Sequence, residues 1–194
     1  MCLIIENKTE KKLLNLISKE KISQYMEMNP DGFGITAQHK NLIIKKGFGL
    51  NNFLQDLEEI ESIKNIHYFI HFRKATVGKV SLENIHPFDI LGNNHLYFMH
   101  NGTMPKYQNK INVLNQEESD TKEFITELQQ ILKAQKNILK YIHQKKFQNF
   151  IHQKIGNGRA VLMSSETNII FNENLWIQMN NGLKYSKNID AMIN

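Results

Sequence analysis

The distribution of apolar and polar positions predicts strands near both ends of the chain. Apolar runs of strand length occupy Cys2–Glu6, residues 65–72 and residues 95–103, and residues 33–46 are interpreted as a hairpin. From Gly158 to Ser186, short apolar runs alternate with Ser, Asn and Gly, which predicts an antiparallel meander.

Helical spacing of apolar residues fills the gaps between these strands. Thr9 is a candidate N-cap for a first helix, a second short helix is predicted to end near Met28, and residues 51–63 predict a third. At most two helices are predicted from Ser119 to His152. Because strands and helices do not alternate regularly, the pattern favours an α+β fold with largely antiparallel sheets packed under helices.

Length and composition fit one ordinary domain over residues 1–194, with 41% hydrophobic residues. The longest apolar runs are far shorter than the roughly 20 residues of a membrane span, and no secretory leader is recognised, so we expect a soluble cytoplasmic protein. The single cysteine excludes an internal disulfide and a thiolate metal cluster.

The formal charge of +5 would suit an anionic partner if it were concentrated on one face. The lysines are instead scattered singly or in pairs, and basic and aromatic residues do not interleave as in a single-strand-binding groove. Nucleic acid is therefore not the expected partner.

Cys2 is the first candidate for chemistry. If Met1 is removed, this residue carries both a thiol and an α-amine whose pKa lies at about 7.7–8.0, so one residue supplies a nucleophile and its base. The alternative is a small apolar residue in a buried strand.

Two further segments follow predicted strands. In "HFRKATVG", Arg73 could bind a carboxylate bidentately, with the Thr76 hydroxyl as an additional donor; the alternative is a surface ion pair. In "HNGT", the Asn101 amide and the Gly102 N–H could stabilise an oxyanion, although Asn-Gly is also a common hairpin turn. Asp120 is either a helix N-cap or a partner for a ligand's ammonium group, or both.

The eight histidines raise the possibility of a metal site, above all His67 and His71 on one face of a strand. No acidic or thiolate partner stands at ligand spacing, so no metal is expected.

Read in order, Cys2, "NPDGFGI", "HFRKATVGKVSLENIHPF", "FMHNGT" and "ESDTKEF" resemble the class II glutamine amidotransferases, which belong to the N-terminal-nucleophile (Ntn) hydrolases. The resemblance implies a four-layer αββα sandwich without a cofactor. It implies that Cys2, once Met1 is lost, attacks the glutamine side-chain amide to give a γ-glutamyl thioester and ammonia.

The resemblance also implies a role for each matching residue. Asn101 and Gly102 would form the oxyanion hole, and Arg73, helped by the Thr76 loop, would bind the glutamine α-carboxylate. Asp120 would pair with the α-ammonium group alongside Gly102.

Three further residues would be structural: Gly32 and Gly34 would let their segment pass close behind the nucleophile, and His86 would close the loop after Arg73. Residues 74–84 could form a lid over bound glutamine.

The resemblance leaves the fate of the ammonia open. A separate synthetase or transferase subunit could receive it, or the protein could hydrolyse an amide for its own sake. The alternatives are an N-terminal-cysteine amidase acting on another linear or γ-glutamyl amide and a non-enzymatic basic subunit that regulates or binds nucleic acid.

Overall fold

The computed structural model describes residues 2–93, 95–114 and 117–188, and within these ranges two antiparallel sheets lie face to face. The strands are β1 (Leu3–Asn7), β2 (Phe33–Gln38), β3 (Leu42–Gly47), β4 (His67–Phe72), β5 (Phe88–Asp89), β6 (Tyr97–Asn101), β7 (Arg159–Met163), β8 (Asn168–Phe171), β9 (Ile177–Gln178) and β10 (Lys184–Tyr185). The helices are α1 (Lys19–Met28), α2 (Leu50–Glu61), α3 (Pro105–Leu114), α4 (Asp120–Lys133), α5 (Ile138–Ile142) and α6 (Lys145–Ile155).

The first sheet has the strand order β3-β2-β4-β1-β10-β9 and the second the order β5-β6-β7-β8. In the first sheet, β1 pairs with β4 so that Leu3 lies opposite Phe72, and with β10 so that Ile5 lies opposite Tyr185. The nucleophile candidate thus precedes a strand with neighbours on both sides.

Alternation along the strands sorts the apolar side chains into three layers. Leu3 and Ile5 of β1 face α1 and α2, whereas Ile4 faces the second sheet. In the second sheet, Met99 of β6 faces inward and Phe98 packs outward under α4 and α6. Helices therefore cover the outer face of each sheet, and the predicted four-layer αββα sandwich is confirmed.

The helix predicted after Thr9 is wrong. The Thr9 N–H donates to Asn7 Oδ1 at 2.9 Å, which forms a turn, and only Leu13–Asn15 makes a short 3₁₀ segment. The Leu13 N–H is bound by the Glu61 carboxylate of α2 at 2.5 Å, so a tertiary contact replaces the helical hydrogen bond. The α-helix starts later, where the Ser18 side chain accepts from Lys21 N at 3.2 Å.

Two other predictions need correction. The segment from Ser119 to His152 contains parts of three helices rather than two, because Asn137 caps an additional short helix, α5. The C-terminal meander is divided between the sheets: β7 and β8 belong to the second sheet, and β9 and β10 to the first. None of the helices in the described ranges is long and apolar enough to cross a membrane.

Candidate active site

The sequence candidates converge at one end of the space between the two sheets. Arg73 directly follows β4, and the β1–β4 register continued by one position puts Cys2 opposite it. Asn101 is the last residue of β6 in the facing sheet. The strand ends thus bring together residues that are far apart in sequence.

Cys2 is half-buried at this end. Its Sγ accepts from the Lys74 N–H at 3.4 Å and lies 3.5 Å from the Lys74 carbonyl oxygen. Burial raises the pKa of the Cys2 thiol, while the Lys74 amide and the cations of Arg73 and Lys187 act in the opposite direction. A neutral thiol here needs a base before it can attack. Met1, on whose removal the expected base depends, lies outside the described residues.

Arg73 is a buried cation, 3% exposed. Its Nη2 donates to the Val77 carbonyl oxygen at 3.3 Å, and its Nη1 has no hydrogen-bond partner among the described residues. Burial lowers the pKa of Arg73, and the negative charges of Asp31 and Asp120 oppose that effect. A buried guanidinium with an unpartnered donor is suited to bind a carboxylate.

The main chain holds Arg73 in place through the segment before β2. The Arg73 N–H donates to Gly32 O at 2.8 Å, and the Asp31 N–H donates to Arg73 O at 3.0 Å. The Asp31 carboxylate accepts from Ala75 N at 2.7 Å. Asp31, which the sequence analysis did not single out, therefore shapes the turn that carries Lys74 to Cys2.

Asn101 is 2% exposed. Its Nδ2 donates to Ser186 Oγ at 2.8 Å, and its Oδ1 has no hydrogen-bond partner among the described residues. Gly102 follows it at the rim of a cleft whose other wall is residues 153–159. An amide donor and a main-chain N–H therefore stand side by side at the exit of β6, as an oxyanion requires.

Asp120 is not the N-cap of α4, because the Ser119 side chain caps this helix by accepting from Lys122 N at 3.2 Å. The Asp120 carboxylate instead accepts from the main-chain N–H of Met104 and from that of Thr121, each at 2.7 Å. Burial raises the pKa of Asp120, and these hydrogen bonds oppose the rise. The carboxylate is thus tied to the segment just after Gly102.

Thr76 is exposed, in the loop that follows Arg73. The far part of this loop is fastened, because Asn84 Nδ2 donates to Lys79 O at 3.0 Å and to Glu117 O at 2.8 Å. Asn84 Oδ1 also accepts from Ser119 N at 3.0 Å. The lid expected at residues 74–84 is therefore anchored to the start of α4 at its second half, and Thr76 lies in the part nearer Cys2.

The two glycines before and within β2 lie against the segment that ends this loop. A Cβ on Gly34 would stand 1.7 Å from His86 O, and a Cβ on Gly32, whose φ is +112°, would stand 2.3 Å from Ile85 Cδ1. His86 itself is 4% exposed, with ring centroids 4.2 Å from His71 and 4.6 Å from Phe88. Side chains at either glycine would push the loop away from the strand.

The two histidines considered for a metal are engaged separately. His67 Nε2 lies 3.0 Å from Glu6 Oε1, whereas His71 Nε2 lies 3.2 Å from the His100 carbonyl oxygen. Within residues 2–93, 95–114 and 117–188, no three His, Cys, Asp or Glu side chains group as metal ligands would.

Sequence reasoning missed three contributors: Asp31, Asn84 and Ser186. The alternation in "LKYSK" puts Lys184 and Ser186 on one face of a strand, but no local signal tells which strand they meet. Asp31 and Asn84 act through main-chain groups far away in sequence, which leaves no pattern to recognise.

Comparison with known proteins supports the resemblance to the class II glutamine amidotransferases that the sequence motifs indicate. The family model of glutamine amidotransferases class-II matches residues 49–171. A search of curated proteins found no match.

Among solved structures, the glutamine phosphoribosylpyrophosphate (PRPP) amidotransferase from B. subtilis complexed with ADP and GMP is similar with a TM-score of 0.58 at 20% identity. A structure described as the allosteric regulatory enzyme of purine biosynthesis has a TM-score of 0.60 at 20% identity. Each alignment covers 95% of this chain and 41% of the other, so the chain spans about two fifths of the length of these relatives.

Proposed function

Since the chain belongs to the class II glutamine amidotransferases, we propose that it hydrolyses the side-chain amide of glutamine through Cys2 and delivers ammonia to an acceptor. The observation that carries the proposal is the buried Arg73 at the strand end beside Cys2, whose Nη1 has no hydrogen-bond partner among the described residues. A cation with an open donor next to a thiol suits an amide that also bears an α-carboxylate.

In this mechanism Cys2 Sγ attacks the amide carbon and forms the carbon–sulfur bond. Because burial raises the pKa of the thiol, its proton must pass to a base, and the α-amine freed by removal of Met1 supplies one. Asn101 Nδ2 and the Gly102 N–H stabilise the oxyanion. The intermediate collapses with loss of ammonia, which takes the proton from the amine, and water then hydrolyses the thioester to glutamate.

The two charges of the glutamine α-carbon have opposite partners. Arg73 binds the carboxylate, with Thr76 closing over it from the exposed loop. Asp120, held by Met104 N and Thr121 N, accepts from the ammonium group. Together they select a zwitterion, which distinguishes this proposal from an amidase for uncharged amides.

In this proposal a synthetase or transferase active site, on the same polypeptide or on a separate subunit, receives the ammonia. Both similar solved structures are more than twice as long as the stretch that aligns with this chain. The cytoplasmic location expected from the sequence stays a prediction.

The decisive experiment measures ammonia release from glutamine together with the intact mass before and after treatment with a diazo-ketone analogue of glutamine. We expect loss of Met1, one covalent adduct on Cys2, and loss of ammonia release once the adduct forms. Retention of Met1 in an active enzyme would overturn the role of the α-amine, and the absence of glutamine hydrolysis would overturn the proposal itself.

A further inference from the structure

Ser186 connects the strand that follows the nucleophile to the proposed oxyanion donor. This residue directly follows β10 and is fully buried. Its main-chain N–H donates to Ile4 O at 2.9 Å, which extends the β1–β10 pairing by one position. Its side-chain Oγ accepts from Ile4 N at 2.8 Å and from Asn101 Nδ2 at 2.8 Å. One hydroxyl therefore bridges β1 in the first sheet and β6 in the second.

The chemistry of these two bonds fixes the Asn101 amide. A hydroxyl oxygen has two lone pairs, and a main-chain N–H can only donate, so Ile4 occupies one of them. The Asn101 nitrogen occupies the other with one of its two hydrogens. Its second hydrogen is then left for a substrate oxygen, while Oδ1 makes no hydrogen bond to the described residues. The Asn101 side chain is therefore held with Nδ2 directed at Ser186 Oγ and with the second hydrogen of Nδ2 available to a substrate.

We propose that Ser186 is a positioning residue for glutamine hydrolysis, which orients Asn101 as oxyanion donor relative to the strand that follows Cys2. This inference rests on the function proposed above. A preorganised donor lowers the barrier because it needs no reorientation when negative charge develops on the substrate oxygen. Without the Ser186 hydroxyl, the Asn101 amide can rotate and its donor is no longer aligned.

The test substitutes Ser186→Ala in the full chain and measures steady-state glutamine hydrolysis. Complete loss of one oxyanion donor costs about 10²–10³-fold in kcat, so misalignment is expected to cost about 10- to 100-fold, with KM within about threefold of wild type. Ser186→Cys keeps the shape of the side chain with a somewhat larger atom that accepts hydrogen bonds only weakly, and it is expected to fall between wild type and Ser186→Ala.

Ser164→Ala is the matched control. Ser164 is also buried, and its Oγ accepts from two main-chain N–H groups, those of Glu166 at 3.2 Å and Thr167 at 3.1 Å, in the turn between β7 and β8. Its substitution is expected to lower the melting temperature and to leave kcat unchanged.

Two readouts separate positioning from general damage to the fold. In an Asn101→Ala background, Ser186→Ala should lower kcat by less than about twofold, because the group that it orients is gone. Alkylation of Cys2, the one cysteine of the sequence, by iodoacetamide needs no oxyanion hole and should keep its wild-type rate in Ser186→Ala.

Each outcome has a distinct meaning. An unchanged kcat in folded Ser186→Ala, an equal loss in the presence and absence of the Asn101 amide, or slowed alkylation would each overturn the positioning role. If the wild-type protein releases no ammonia from glutamine, the proposed function fails, a result distinguishable from failure at Ser186 alone.

Discussion

The space between the two sheets has two polar ends that are built in opposite ways. Along β1, Cys2, Ile4 and Glu6 point to the same side, so one strand carries the thiol at one end and a carboxylate at the other. At the Glu6 end, the carboxylate has basic side chains as partners: His67 Nε2 lies 3.0 Å and Lys184 Nζ 3.6 Å from it. Lys184 Nζ also lies 2.6 Å from Glu173 Oε1.

At the Cys2 end, the buried charges are not paired in this way. Arg73 and Asp120 influence each other electrostatically, yet within the described ranges neither forms an ion pair within 4 Å. Arg73 Nη1 and Asn101 Oδ1 have no hydrogen-bond partner there. Buried polar residues alone therefore do not identify an active site in this fold. Glu6 Oε2 also lacks a hydrogen-bond partner within the described ranges, so the two ends differ in their ion pairs and not in the presence of unpartnered polar atoms.

The largest expected difference between the two ends is the effect of a substitution at Cys2 on activity. Cys2→Ala is expected to lower glutamine hydrolysis by about 10⁴-fold or more, because the nucleophile is removed. The melting temperature should stay within a few degrees of wild type, since the hydrogen bonds of the Cys2 thiol to the described residues are weak ones to the main chain of Lys74. Ammonia release measured by a coupled assay checks the first expectation and calorimetry the second; retained hydrolysis would assign the chemistry to another group.

Arg73→Gln tests the unpartnered charge at the same end. We expect KM for glutamine to rise by about 10- to 100-fold, because a charge-assisted bidentate contact is lost. KM for glutaminamide, which lacks the carboxylate, should change by less than about threefold. Parallel rises for both substrates would show that Arg73 maintains the loop rather than binding the carboxylate.

Glu6→Gln tests the paired end. The substitution removes one of the two acidic partners of Lys184, which keeps Glu173, and gives His67 a neutral acceptor in place of a charged one, so we expect the free energy of unfolding to fall by about 1–3 kcal/mol. Because Glu6 lies at the opposite end of β1, kcat should be unchanged. Urea unfolding and steady-state kinetics on one preparation measure both, and a kcat loss without a stability loss would contradict the proposed division of roles.

The buried histidines and Glu6 should affect the free energy of unfolding in different pH ranges. Burial lowers the pKa of His71 and His100 to about 3 and that of His86 well below its usual value. In the unfolded chain these histidines titrate near 6.5, so as the pH falls from there toward 3 the unfolded state binds more protons and stability declines. Between pH 7 and pH 5, each should cost about 1–2 kcal/mol.

The paired end responds in a lower pH window. Burial of Glu6 raises its pKa, but His67 and Lys184 outweigh this effect and the net shift is downward. Its contribution is therefore present above the pKa of an unfolded glutamate, about 4.3, and is lost only below that value.

Unfolding by urea at pH 7, 6 and 5 measures this pH dependence. His86→Phe, which loses no hydrogen bond to the described residues, should reduce the pH dependence by about one proton. Equal pH dependence in wild type and His86→Phe would show that His86 binds its proton over the same pH range in the folded and the unfolded protein.

Several parts of this molecule could be predicted from the sequence because their signals are local. The hairpin of β2 and β3, helix α2 and the strands β4 and β6 follow from periodicity over a few residues. Cys2, Arg73 and Asn101 stand at strand ends, which marks them as candidates without knowledge of the sheet order.

The remaining parts depend on contacts between distant segments. Leu13 fails to start a helix because Glu61 binds its N–H, and Ser119 rather than Asp120 caps α4 although both precede the same apolar stripe. Ser186 is recognised only when β10 is seen beside β1, a pairing that joins residues about 180 positions apart.

The pairing of β1 with β10 has a consequence for the nascent chain. As the protein is synthesised, the proposed nucleophile and both proposed oxyanion donors leave the ribosome early, but β10, which pairs with β1, comes more than 80 residues after Asn101. Until Ser186 has emerged, Ile4 N lacks its acceptor and the Asn101 amide its anchor. The proposed oxyanion hole can therefore form only after the C-terminal strands have been synthesised and have docked.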